Sequence, residues 1–134
     1  MNPRTSYGYS TAVQLNFDNA VQKTIELLKE QGFGILTTID VKSKMKEKIG
    51  HDMEDYLILG ACNPKLAAQA LEAEKEVGLL MPCNVIVYRQ EGNTIVSTQL
   101  PSTMMSVTGN KVVCQIADQA EQLLKRVVDQ LSKL

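Results

Sequence analysis

Tryptophan is absent from this chain and phenylalanine occurs only twice, so an aliphatic core of Leu, Ile, Val and Met is expected. Cysteine is scarce and odd in number, three in 134 residues. A chain of that length buries roughly two-thirds of its extended surface without staples, which argues against a secreted disulfide framework and for reduced thiols. Charge of one sign is missing too. Fourteen basic residues against fifteen acidic give a formal net charge of −1, leaving no cationic excess to release counter-ions from nucleic acid. No apolar run approaches the about 20 residues of a membrane-spanning helix, and Met1-Asn2-Pro3-Arg4-Thr5 lacks the apolar centre of a signal peptide. A cytoplasmic protein that engages neither nucleic acid nor membrane is the expectation. Phosphate-loop patterns such as Gly-x-x-x-x-Gly-Lys and Gly-x-Gly-x-x-Gly are also missing, which removes support for nucleotide hydrolysis. With no internal repeat and no Pro/Gly/Ser linker, one domain spans residues 1–134.

What is present is a regular alternation of strand and helix signals. Tyr7 to Leu15 reads as an opening edge strand. Asn16 is placed to cap a helix whose apolar residues Phe17, Val21, Ile25 and Leu28 recur at helical spacing until Gly32. Phe33 to Ile39 is a strand, Val41 to Ile49 a short basic helix closed by Gly50, and Tyr56 to Cys62 a continuous apolar run expected as a central strand buried on both faces. Asn63 caps, and Pro64 opens, a helix to about Glu76. An extended piece, Leu79 to Pro82, then leads to a strand from Asn84 to Arg89, a turn at Gln90-Glu91-Gly92-Asn93 and a returning strand from Thr94 to Gln99. Pro101 to Val107 forms one or two helical turns. The stripe Val113, Ile116, Ala117, Ala120, Leu123, Leu124, Val127, Val128 and Leu131 marks a long C-terminal helix. The order β-α-β-(α)-β-α-β-β-α predicts an α+β domain in which helices cover one face of a largely antiparallel sheet. The other face would be covered by a second subunit.

Chemistry concentrates in two similar motifs, Gly60-Ala61-Cys62-Asn63-Pro64 and Met81-Pro82-Cys83-Asn84. Just before a helix cap, the Cys62 sulfur would feel the positive end of the dipole, which favours a reactive thiolate. The alternative is a small buried hydrophobe at a crowded strand end. A helix from Pro64 to Glu76 carries the chain about 20 Å away; a parallel crossover would then leave Cys83 at the opposite end of the sheet, whereas an extended return over Val77 to Pro82, which the apolar Leu79, Leu80 and Met81 favour, recovers about the same distance and lets the two cysteines meet. Their meeting leaves open a redox disulfide, a thiolate pair for a soft metal, or a small pocket in which Asn63 and Asn84 hold a ligand. No Cys-x-x-Cys is present and Cys114 falls off the apolar stripe, so neither a metal nor a cofactor is expected.

Other polar groups carry less. His51-Asp52 after Gly50 could be a base with its orienting carboxylate, although turn polarity is the commoner use of such a pair. Lysines 42, 44, 46 and 48 surround Glu47 and suit a solvated face. Met104-Met105 could line a pocket or a subunit contact, with core filling as the default.

Three blocks, Gln31 to Val41, Ile58 to Pro64 and Gly78 to Val85, together resemble the bacterial and archaeal domain of unknown function 302 family. The resemblance covers most of the chain and takes in both Cys-Asn pairs, Asp40, Lys46 and the Gly-Asn near position 110. It implies a small α+β homodimer with no assigned activity. The sequence therefore predicts a homodimeric small-ligand-binding or interaction module with its site at Cys62, Asn63, Pro64, Cys83 and Asn84. The alternative is a thiol-dependent redox enzyme or sensor in which Cys62 is the nucleophile and Cys83 the resolving partner.

Overall fold

Five strands form one antiparallel sheet in the order β1-β5-β4-β3-β2, in a computed structural model that describes residues 5–134. The strands are β1 (Gly8–Val13), β2 (Gly34–Asp40), β3 (Tyr56–Cys62), β4 (Cys83–Gln90) and β5 (Asn93–Gln99); the helices are α1 (Phe17–Glu30), α2 (Val41–Ile49), α3 (Pro64–Ala73), α4 (Pro101–Met105) and α5 (Lys111–Leu131). Short polar side chains start four of the helices. Asn19 N–H donates to Asn16 Oδ1 at 2.8 Å, Ser43 N–H to Asp40 Oδ1 at 3.0 Å, Leu66 N–H to Asn63 Oδ1 at 3.3 Å, and Val113 N–H to Asn110 Oδ1 at 3.1 Å. Each contact satisfies an N–H that the helix itself leaves unpaired. Strands β4 and β5 are joined through Glu91 and Gly92, both at positive φ (50° and 84°), the backbone pattern of a two-residue hairpin turn.

Helices α1, α3 and α5 pack on one face of the sheet. Pairing of Leu57 with Val87 and of Leu59 with Val85 aligns the apolar residues that face α1 and α5. Leu28, Phe33, Leu59, Val87, Val96, Leu124 and Leu131 are buried there, and full burial of each such side chain contributes roughly 1.5–3 kcal/mol. A second apolar cluster, Ala70, Val77, Met105, Val113, Ile116 and Ala117, joins α3, α4 and the first half of α5. Leu66 packs against both clusters.

Two expectations from the sequence change. The Tyr56–Cys62 strand is interior but second from the edge, with β4 in the middle, and only Leu59, Gly60 and Ala61 are buried along it. Tyr56, Leu57 and Ile58 are only partly buried. The helix after Pro64 ends at Ala73, and Lys75–Leu80 form a 3₁₀ helix where an extended return was expected. The path closes all the same. Ten α-helical residues rise about 15 Å and six 3₁₀ residues return about 12 Å, before a cis Met81–Pro82 bond leads into β4.

The sheet's two edges differ. Strand β1, at the edge as expected, is tied to α5 by Tyr9 Oη, which donates to Asp129 Oδ1 at 2.6 Å, and by Lys125 Nζ, 5.3 Å from the Tyr9 ring centre. Strand β2 is largely bare, with Leu36 65% and Ile39 44% exposed.

Candidate functional site

The seam between the two apolar clusters holds a small cavity of about 50 Å³. Phe33, Ala61 and Ala120 of the sheet-side core line it, together with Met105, Ile116 and Ala117 of the helical cluster. Cys62, Asn63 and Cys83 reach the same cavity. What brings the cysteines together is strand pairing, since Ala61 lies opposite Cys83 in the β3–β4 ladder and Cys62 is the next residue. They are unbridged.

Both thiols are held in the protonated state. Burial raises the Cys62 pKa, the opposite of the lowering that a helix dipole alone would give. Burial pushes Cys83 further, to about 11, with a smaller rise from Cys62 and partial relief from the nearby Gln99 amide. Gln99 Nε2 is enclosed, and no hydrogen bond from it meets proper geometry among the described residues. The cavity thus offers two neutral, polarisable S–H groups on apolar walls, and no charged residue is among its described lining.

The remaining candidate residues part company here. Asn63 is occupied by structure: Oδ1 accepts from Leu66 N–H, and the amide lies so close to Gly32 that a Cβ there would come within 3.1 Å of Nδ2. Gly32 also sits at φ +87°, a conformation that favours glycine. Pro64 is the first residue of α3 and does not line the cavity. Asn84 is on the other side of the sheet, because it pairs with Gly60 while its neighbours Cys83 and Val85 point to the helices. Gly60 is packed tightly on that open side, where a Cβ would collide with Thr37 Oγ1 and lie 2.9 Å from Pro82 Cγ.

Asn84 instead joins a groove of about 480 Å³ on the open face. Tyr7, Tyr56, Tyr88, Ser97 and Gln99 are among its other walls. Sequence reasoning missed this groove, because residues as far apart as Tyr56 and Tyr88 meet only through the β3–β4 register.

The other candidates are structural. Lys46 pairs with Asp52 at 2.8 Å, Lys42 with Asp55 at 3.3 Å and Lys44 with Glu47 at 3.6 Å, all on the surface. His51 is exposed. Met105 lines the seam cavity and Met104 the open groove. Cys114 Sγ donates to Met105 O at 3.7 Å. Among the described residues no group of three or more His, Cys, Asp or Glu side chains is arranged to hold a metal, and no helix is long and apolar enough to cross a membrane.

A crystal structure described as an uncharacterized conserved protein DUF302 from Bacillus stearothermophilus superimposes with a TM-score of 0.89 at 28% identity, covering 95% of this chain and 99% of that one. No curated protein matches the chain. Residues 9–131 match the family described as Domain of unknown function DUF302, and the chain belongs to that family.

Proposed function

We propose that this protein is a homodimeric binding module whose seam cavity, at Cys62, Asn63 and Cys83 with Pro64 fixing the adjoining helix, takes a small, uncharged, apolar ligand or ligand tip. The observation that carries the reading is the cavity's chemistry: apolar walls, two protonated thiols and no charged residue among the described lining. Asn84 leaves this site, since it lines the opposite groove. Dimerisation is assigned to the β2 edge, whose exposed Leu36 and Ile39 are not guarded by lysine or proline within the strand. An antiparallel strand can pair with its own copy about a two-fold axis. Three unbridged cysteines support a reducing, cytoplasmic setting as part of this reading.

Xenon tests the cavity. A dry apolar space of this kind takes up noble gas or a small hydrocarbon, and the ¹²⁹Xe chemical shift should respond to added protein in a saturable way. Filling the cavity with Ala117→Leu should remove that response while the circular dichroism spectrum is retained. A xenon signal that ignores the wild-type protein would sink the reading. Nearness of the cysteines favours one competitor, the thiol-dependent redox enzyme or sensor. Thiol counting on protein purified without reductant separates the two: loss of two thiols per chain, blocked by Cys62→Ser or Cys83→Ser, would replace the binding reading with the redox one.

A further inference from the structure

We infer that the open face of the sheet carries a second, independent binding site, a groove that takes a flat, uncharged ring compound bearing a hydrogen-bond acceptor. Three of the four tyrosines in the chain gather there. Tyr56 and Tyr88 stack across the β3–β4 ladder with ring centres 5.4 Å apart and planes 19° from parallel. Tyr7, on the segment leading into β1, also lines the groove and is 60% exposed, so one face of the aromatic surface is available for stacking. Burial raises the pKa of both Tyr56 and Tyr88, so both rings remain neutral phenols across the physiological range.

Size and charge define the ligand. About 480 Å³ lies within the range of small-molecule sites, roughly 300–1,000 Å³. No charged residue occurs among the described residues lining the groove, which matches a neutral ligand and disfavours phosphates or nucleic-acid backbone. Asn84 and Ser97 supply amide and hydroxyl groups that fix orientation. Both can donate to a ligand carbonyl or ring nitrogen. Cross-strand stacking by itself accounts for the tyrosine pair; it does not account for the third tyrosine or the uncharged walls.

The probes are nicotinamide and lumichrome, both flat and neutral, with benzoate as the charged control and cyclohexanol as the non-planar one. Binding is followed on protein carrying ¹³C-labelled tyrosine rings. Both flat neutral probes should shift the Tyr56 and Tyr88 signals, and neither control should. Removing one stacking partner weakens such binding by about 5- to 150-fold, so Tyr88→Leu should lose affinity by that factor while Tyr88→Phe retains it. Cys62→Ser should bind as wild type does, which separates this groove from the seam cavity. Equal shifts with cyclohexanol, or equal affinity of Tyr88→Leu and Tyr88→Phe, would overturn the inference. So would tyrosine signals that move only on dilution through a dimer–monomer transition, because the groove would then be closed by a second copy.

Discussion

Cys62-Asn63 and Cys83-Asn84 are spelled alike, yet the first lies where a strand ends and the second where a strand begins. At the end of β3 the chain turns directly into α3, so Asn63 is spent as a helix cap. At the start of β4 the chain continues in pleated geometry, and alternation sends Cys83 to the helices and Asn84 to the open face. The cysteines converge and the asparagines separate. Likeness of dipeptides therefore does not establish likeness of role; the direction in which the backbone leaves the motif decides it.

The sharpest test of the cysteine half is alkaline pH. Cys83 sits at about 11 in the folded chain against an ordinary 9.0, so folding favours the protonated thiol. Stability from this source is fully present below about pH 9 and is lost as pH rises through about 11. A shift of about 2 units corresponds to about 3 kcal/mol at most. Urea unfolding of the wild type between pH 8 and 11 should show that loss, and Cys83→Ala should flatten it. Alkylation in the folded state should run in the same sense, with Cys62 modified before Cys83. If Cys83 reacts first, the contrast in burial between the two motifs is wrong.

Gly60 comes next, as the residue of the first motif that faces the open side. Its packing against Thr37 and Pro82 leaves no room for a methyl group, and overpacking of this kind costs about 1–3 kcal/mol. Gly60→Ala should lower the urea midpoint accordingly, and Thr37→Ala in the same chain should restore part of it. Additive losses in the double variant would mean that the crowding lies elsewhere.

Much of this architecture was legible because its signals are local. Asn16 and Asn63 announced helices from one residue each, Gly50 closed α2, and the stripe from Val113 to Leu131 needed only helical period. Where the sequence misled, the missing information was long-range. The run Tyr56 to Cys62 looks equally apolar on both faces, and only strand order reveals that one of them lacks a helical cover. Val77 and Leu80 fit an extended return as well as they fit the 3₁₀ turns that pack them against α3 and α5. The seam cavity was half visible through its cysteines. The tyrosine groove was invisible, since Tyr7, Tyr56 and Tyr88 share no periodicity and meet only once β3, β4, β5 and β1 are paired.

The two asparagines give the smallest effects and the most discriminating ones. Asn63→Ala removes the acceptor for Leu66 N–H and the amide packed over Gly32, so it should cost about 1 kcal/mol, the usual value for a lost cap. Asn63→Asp keeps the acceptor and should recover most of that. Asn84→Ala removes a side chain that caps no helix, and substitutions of this kind stay within about 0.5 kcal/mol. Its effect should fall on the groove instead, as weaker binding of nicotinamide at unchanged stability. Equal stability losses at positions 63 and 84 would mean that both asparagines are structural, and the open face would then lose one of its orienting groups. A loss at 63 alone, with probe binding reduced only by the change at 84, is the pattern that two unlike motifs require.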